Sequence, residues 1–312
     1  MIERTPSVVV VGSVAIDWVI TPKAERERSV GGSATFFSMA ASYFGPVRLC
    51  GVVGKDFPEQ SLADLRAAHV DTEGLEVVPD GLTFHWKGRY HDDMNHRDTL
   101  DTRLNVFEHF DPRLPQSYRG SEYLFLANIQ PALQLRVLDQ MDPRPRLVGL
   151  DTMNLWIEHT KDDLLKVLAR VDLLTINEEE ARQLTGEPNL VRAARAIHDI
   201  GPRSLVIKRG EYGALLFHEG EVFSAPALPL EEVIDPTGAG DSFAGGFMGY
   251  LARVGETTGE SLRSAMIYGS VMASYCVEGF SYDRLAGLDH RAIDERFMAF
   301  SRLTHFERAR LL

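Results

Sequence analysis

The sequence predicts an α/β protein: a doubly wound, mostly parallel sheet with helices on both faces. Three observations carry that prediction. Residues 8–16 form a nearly unbroken apolar run, VVVVGSVAI, as expected of a strand buried on both faces. After residue 122, extended segments at 123–127, 147–151 and 172–176 alternate with helical ones at 131–141 and 161–169, the pattern of parallel strands joined by crossover helices. Residues 234–251, IDPTGAGDSFAGGFMGYL, run from an extended segment through a glycine turn into an apolar helix, with Phe243, Phe247, Tyr250 and Leu251 at helical spacing.

Bulk properties narrow the function. A chain of 312 residues with 44% hydrophobic and 25% charged residues can bury a substantial core. Lys and Arg number 33 against 45 Asp and Glu, a net charge of −12. That balance argues against a nucleic-acid surface but leaves room for a local basic patch around a phosphate. Cys50 and Cys276 lie in apolar segments far apart, so buried thiols in a reducing compartment are expected and a cysteine zinc site is not available. The run 8–16 is too short to span a membrane. Glu3 and Arg4 before it do not make the basic start of a signal peptide. The expectation is a cytoplasmic protein with no membrane segment.

In chain order, residues 8–14 read as a central strand, which puts Asp17 at or just beyond its carboxyl end, where open α/β sheets bind ligands; locally, a turn residue explains Asp17 as well. Gly31 and Gly32 form a turn opening a helix that closes at Gly45. A strand at 47–53 and a helix at 57–68 follow, with Leu62 and Leu65 facing inward. Residues 82–91 and 99–105 read as paired extended segments carrying Lys87, Arg89, Arg97 and Arg103. His85, His91 and His96 in this region match no zinc spacing. Asn177 followed by Glu180 fits a capping box at a helix start. Residues 204–217 read as strand, turn and strand, with Gly210 and Gly213 bounding the turn, and 262–277 as a long apolar helix. No repeat or linker divides the chain, so a single domain over residues 1–312 is expected.

The chemistry concentrates at 234–251. Gly238, Ala239 and Gly240 carry almost no side-chain bulk, which leaves their N–H groups and those of the following helix open to an anion. Asp241 sits at the helix mouth. An N-cap is one reading of it; an anion cradle with an adjacent proton acceptor, as phosphoryl transfer to a hydroxyl requires, is the other. A Walker loop is excluded because Gly54-Lys55-Asp56 lacks the hydroxyl residue and the earlier glycine. A dinucleotide fingerprint is excluded because Phe243 stands where its third glycine would be.

The string DPTGAGDSFAGGF at 235–247 resembles the C-terminal signature of the ribokinase-like (PfkB) carbohydrate kinases. Gly31-Gly32, Asp17 five residues after Gly12, and Asn177-x-x-Glu180 stand in that family's order. The resemblance implies a ribokinase-like fold with a small β lid built from strands at about residues 17–30 and 82–105. It also implies an ATP-dependent kinase phosphorylating a hydroxyl of a sugar or sugar-containing compound, with Asp241 as general base and Gly238, Ala239 and Gly240 as its anion hole. Asp17, Gly31 and Gly32 would bind substrate. Asn177, Glu180, Lys208, Gly210, Gly213 and Thr237 would bind nucleotide. Glu180 would hold Mg²⁺ through water, and Asp235 would border a K⁺ site. Phe36 stands where most members carry Asn; it is either helix core or, with Phe37, an aromatic face for a nucleoside. The lid cations are either a solvated face or a grip on a sugar phosphate. A catalytically silent sugar or nucleotide sensor is the reading from another class. Exposed lid edges would also let two copies pair as a homodimer.

Overall fold

The computed structural model describes residues 6–305; Glu3 and Arg4, and the reading placed on them, lie outside the described residues. Strand β1 (Val8–Val11) leads into β2 (Ala15–Ile20) and β3 (Glu25–Gly31). Helix α1 (Ser33–Ala41), β4 (Val47–Gly54), α2 (Glu59–Ala67) and β5 (Val70–Val78) follow, then the hairpin β6 (Phe84–Tyr90) and β7 (Arg97–Arg103). The alternating region comprises β8 (Tyr123–Leu126), α3 (Pro131–Gln140), β9 (Leu147–Asp151), α4 (Asn154–His159), α5 (Lys161–Leu168), β10 (Leu173–Asn177), α6 (Glu178–Thr185) and α7 (Leu190–Ile200). The described residues end with β11 (Ser204–Lys208), β12 (Ala214–His218), β13 (Glu221–Ala225), α8 (Ala239–Val254), α9 (Gly259–Cys276) and α10 (His290–Thr304).

Nine strands form one sheet in the order β13-β12-β11-β10-β9-β8-β1-β4-β5. It is parallel except where β12 and β13 add antiparallel pairs at one edge. Side chains of β1 alternate between two cores: Val8 and Val10 join the layer under α1, α8 and α9, and Val9 and Val11 the layer under α3, α5, α6 and α7. A sheet buried on both faces needs that continuous apolar run. Helix α8 is held tightly, because Gly245 admits the α1 backbone (a Cβ there would lie 2.4 Å from the Phe37 carbonyl oxygen) and Gly246 admits α9. Both cysteines are free and buried, and burial pushes each thiol up to about 12. No described helix is long and apolar enough to cross a membrane.

The sequence reading runs β1 on to residue 14, but the strand stops at Val11. A Cβ on Gly12 would lie 2.7 Å from Ser33 Oγ and 2.8 Å from Ala127 Cβ, so the chain turns where only glycine fits. Ser13 and Ser33 then exchange hydrogen bonds (backbone N to side-chain Oγ, 3.2 and 3.0 Å) that tie the turn to the start of α1. Asp17 lies beyond β1, in β2 of a second sheet. Strand β5 and helix α10 are absent from the sequence reading altogether.

That second sheet has four strands in the order β3-β2-β6-β7 and forms the lid. Strand β2 runs parallel to β6 with Asp17 opposite Trp86, and β6 runs antiparallel to β7 with Tyr90 opposite Arg97. Directly opposed residues share a face. The Tyr90 hydroxyl accepts from Thr237 Oγ1 (3.1 Å), so Asp17, Val19, Trp86, Tyr90 and Arg97 face the main sheet. Trp18, Lys87 and Arg89 occupy the other face, where the Lys87 ammonium lies 3.1 Å from the centre of the Trp18 ring.

Candidate active site

Gly238, whose φ of 79° is left-handed, is the N-cap of helix α8. A Cβ there would lie 2.3 Å from the Phe36 ring. Phe36 is therefore the floor beneath this turn, 2% exposed, and Phe37 is stacked on Phe125 with centroids 4.6 Å apart. Neither offers a face to the cleft, because both belong to the apolar side by which α1 meets the sheet and α8. Among the described residues, the N–H groups of Gly238 and Gly240 find no acceptor, while that of Ala239 donates to the Pro236 carbonyl (3.2 Å). Two of the three expected cradle amides are thus open to an anion. Asp241 follows in the first turn of α8.

Three carboxylates converge around the cradle. Asp17 lies against Gly31: a Cβ on that glycine would be 1.9 Å from Asp17 Oδ2. Burial, then Asp235 and Asp241, push Asp17 up to about 8. Asp241 is pushed up to about 7 by burial and the Asp151 carboxylate, against the pull of Lys208 and Arg97. Asp235 reaches about 6, again by burial, although the Thr237 N–H donates to its Oδ1 (2.8 Å). Its loop is stitched to the end of α9 by the Ile234 N–H, which donates to the Val277 carbonyl (2.8 Å).

The second wall comes from β9, β10 and β11. Asn177 and Glu180 form the capping box reciprocally, the Glu180 N–H donating to Asn177 Oδ1 (2.7 Å) and the Asn177 N–H to Glu180 Oε2 (3.0 Å). The cap aims the Glu180 carboxyl, which burial and Asp151 push up to about 7. Lys208, at the end of β11, pairs with Asp151 at the end of β9 (Nζ–Oδ2, 3.0 Å). A Cβ on Gly240 would stand 3.0 Å from the same ammonium, so Lys208 lies directly under the cradle. Burial opposes the Lys208 charge, but Asp151, Glu180 and Asp241 outweigh it and the pKa is raised. Asp151 is absent from the sequence reading, though its place as the last residue of a parallel strand was a signal available there.

Gly210 and Gly213 bound the turn after β11 with φ of 55° and 84°. A Cβ on Gly210 would meet Asn95 Oδ1 at 2.6 Å, so the tip of the lid hairpin touches this turn. The lid histidines are otherwise engaged: His85 Nδ1 with the Ile16 carbonyl (2.8 Å), His91 with Asp98 (3.1 Å) and His96 with Asp93. No group of three His, Cys, Asp or Glu able to hold a metal occurs among the described residues.

Asp17, Asp241, Glu180 and Asp235 all keep their protons to a higher pH folded than unfolded. The folded chain therefore binds more protons between about pH 4 and 8, and its stability falls as pH rises through that window. The unfolding midpoint of the ligand-free protein is expected to drop from pH 6 to pH 8. A midpoint that rises over that interval would show that these carboxylates are not crowded in this way.

Comparison with known proteins gives the family. The profile of the pfkB family carbohydrate kinases matches residues 5–283. The chain belongs to the pfkB family. The cytidine kinase of Thermococcus kodakarensis is 33% identical over 252 residues, 78% of this chain and 88% of that protein. A nucleoside kinase of Methanothermobacter thermautotrophicus is 23% identical, with 86% and 88% covered. A Burkholderia thailandensis nucleoside kinase in complex with inosine superposes with a TM-score of 0.76 at 21% identity, covering 94% of this chain and 98% of that one. As a pfkB kinase, the protein is a phosphotransferase acting on a hydroxyl group of a sugar-like or nucleoside-like small molecule. Its ribokinase-like fold is shared across structures of this kind.

Proposed function

We propose that this pfkB kinase transfers the γ-phosphate of ATP to a hydroxyl of a nucleoside, with cytidine the first candidate. The observation that carries the nucleoside reading is the 33% identity to a cytidine kinase across 88% of its length. Trp86 gives it a physical counterpart. Its indole is half-buried, on the cradle-facing side of the lid and opposite Asp17 in register. A sugar whose hydroxyls bond to Asp17 would bring an attached base toward that ring. This replaces the support that buried Phe36 and Phe37 would have given. A phosphosugar is less favoured, since only one of the four cations of the β6–β7 hairpin faces inward, and Arg26 of β3, opposite Val19, is already paired with Asp283.

In the proposed mechanism Asp17 accepts hydrogen bonds from substrate hydroxyls and fixes the sugar. Asp241 takes the proton of the attacking hydroxyl. The Gly238 and Gly240 amides and the Lys208 ammonium hold charge developing on the transferred group. Glu180 and Asp151 suit Mg²⁺: they are oxygen donors, mutually repelling, and few, as a cation that keeps its waters prefers. When bound there, Mg²⁺ would neutralise phosphate charge.

Initial rates on cytidine, other nucleosides, ribose and sugar phosphates test the substrate class. A nucleoside is expected to show the highest kcat/KM. Trp86→Ala is expected to raise its KM roughly 10- to 100-fold, the worth of one base–aromatic stack, with little change for ribose. Ribose or a sugar phosphate outperforming every nucleoside would overturn the reading.

A further inference from the structure

We propose that Arg97 is a catalytic residue carried by the lid, its guanidinium binding the phosphoryl group in transit between nucleotide and acceptor. The β6–β7 hairpin of the lid holds four Lys and Arg side chains with different surroundings. Lys87 lies over Trp18 on the outer face, Arg89 is opposite Ile20 on that face, and Arg103 is paired with Asp101 (2.8 Å). Arg97 alone of the four stands opposite Tyr90, on the face that meets the cradle loop. Among the described residues its guanidinium forms no ion pair and no hydrogen bond; it stands 5.8 Å from the centre of the Trp86 ring.

The hairpin is anchored on both sides of this arginine. Tyr90 bonds to Thr237, just before the cradle, and Asn95 lies against Gly210, in the turn that follows Lys208. These anchor points straddle the anion site. The charge of Arg97 is felt at Asp241 in the cradle, at Glu180 on the facing wall and at its lid neighbour Tyr90. Its charge therefore reaches both the cradle and the Glu180 wall, between which a phosphoryl group would pass. A planar guanidinium with an unused fork of donors matches two oxygens of a phosphoryl group. The lid would then bring to the reaction a second cation beside the Lys208 ammonium that the main sheet supplies.

The inference rests on the proposed seat of the phosphoryl group at Gly238–Gly240, and the experiment separates the two. Asp241→Asn, Arg97→Gln and Arg89→Gln are assayed with ATP and cytidine, and their affinities for ADP are measured with and without aluminium fluoride. Arg97→Gln is expected to lose roughly 10²-fold in kcat, the usual effect of one missing transition-state donor. Its ADP affinity should stay within about twofold, while the extra affinity conferred by aluminium fluoride is lost. Arg89→Gln should match the parent. Arg97→Gln turning over within about twofold of the parent while Asp241→Asn is crippled overturns the role of Arg97 alone. Equal loss of ADP affinity with and without aluminium fluoride also overturns it. Full turnover by both variants overturns the seat itself.

Discussion

Asp241→Asn is expected to lower kcat by roughly 10²–10⁴, the range for a lost general base, without loss of stability. Asn keeps the shape and the position at the first turn of α8. It removes one of the charges that Asp151 and Asp17 oppose, so the unfolding midpoint should hold or rise. A structural N-cap would behave in the opposite way: losing it lowers stability and leaves chemistry alone. The parent enzyme adds a second signature. With Asp241 held at about 7, kcat/KM should fall tenfold per pH unit below about pH 7 and level off above, because only the ionised carboxylate accepts the proton. Asp241→Asn should lack that limb. Unchanged turnover in the variant, or a flat profile in the parent down to pH 5, would remove Asp241 from this role.

What sequence made visible, and what it hid, follows from the range over which each signal acts. The cradle string is local: glycine turn, helix start and Asp241 lie within four residues, and the structure keeps them together. The capping box is local too, and both its hydrogen bonds form. The Val8–Val11 strand declared itself because burial on two faces demands an unbroken apolar run. Phe36 shows the limit of such reading. An aromatic beside a glycine turn looks the same whether its ring faces a ligand or the floor, and the choice is set by Gly238, 202 positions later in the chain. The Lys208–Asp151 pair joins the ends of two strands that are not neighbours in the sheet, since β10 lies between them. No periodicity encodes that meeting; it appears only once strand order is known. The lid face of Arg97 is hidden for a related reason, because a bulge between Lys87 and Gly88 shifts the register that a simple alternation would assign.

Lys208→Met should produce the largest stability change of any substitution considered. The ammonium and the Asp151 carboxylate are 19% and 7% exposed and 3.0 Å apart. Removing the cation leaves Asp151 buried beside Glu180 and Asp241, both already held above the usual carboxylate range. Breaking a buried pair from one side costs roughly 3–5 kcal/mol, because the surviving charge has no partner. The methionine keeps the length and bulk of the lysine stem, so the loss isolates the charge. Adding Asp151→Asn removes the orphaned carboxylate, and most of the lost stability should return in the double variant. Activity should not return with it, since the cation under Gly240 is then still missing from the phosphate seat. Urea unfolding and steady-state rates on the two single variants and the double separate these roles. A single variant within about 1 kcal/mol of the parent would mean that the ammonium does not hold these carboxylates in place. A double variant that recovers turnover would mean that Lys208 serves the fold and not the phosphate.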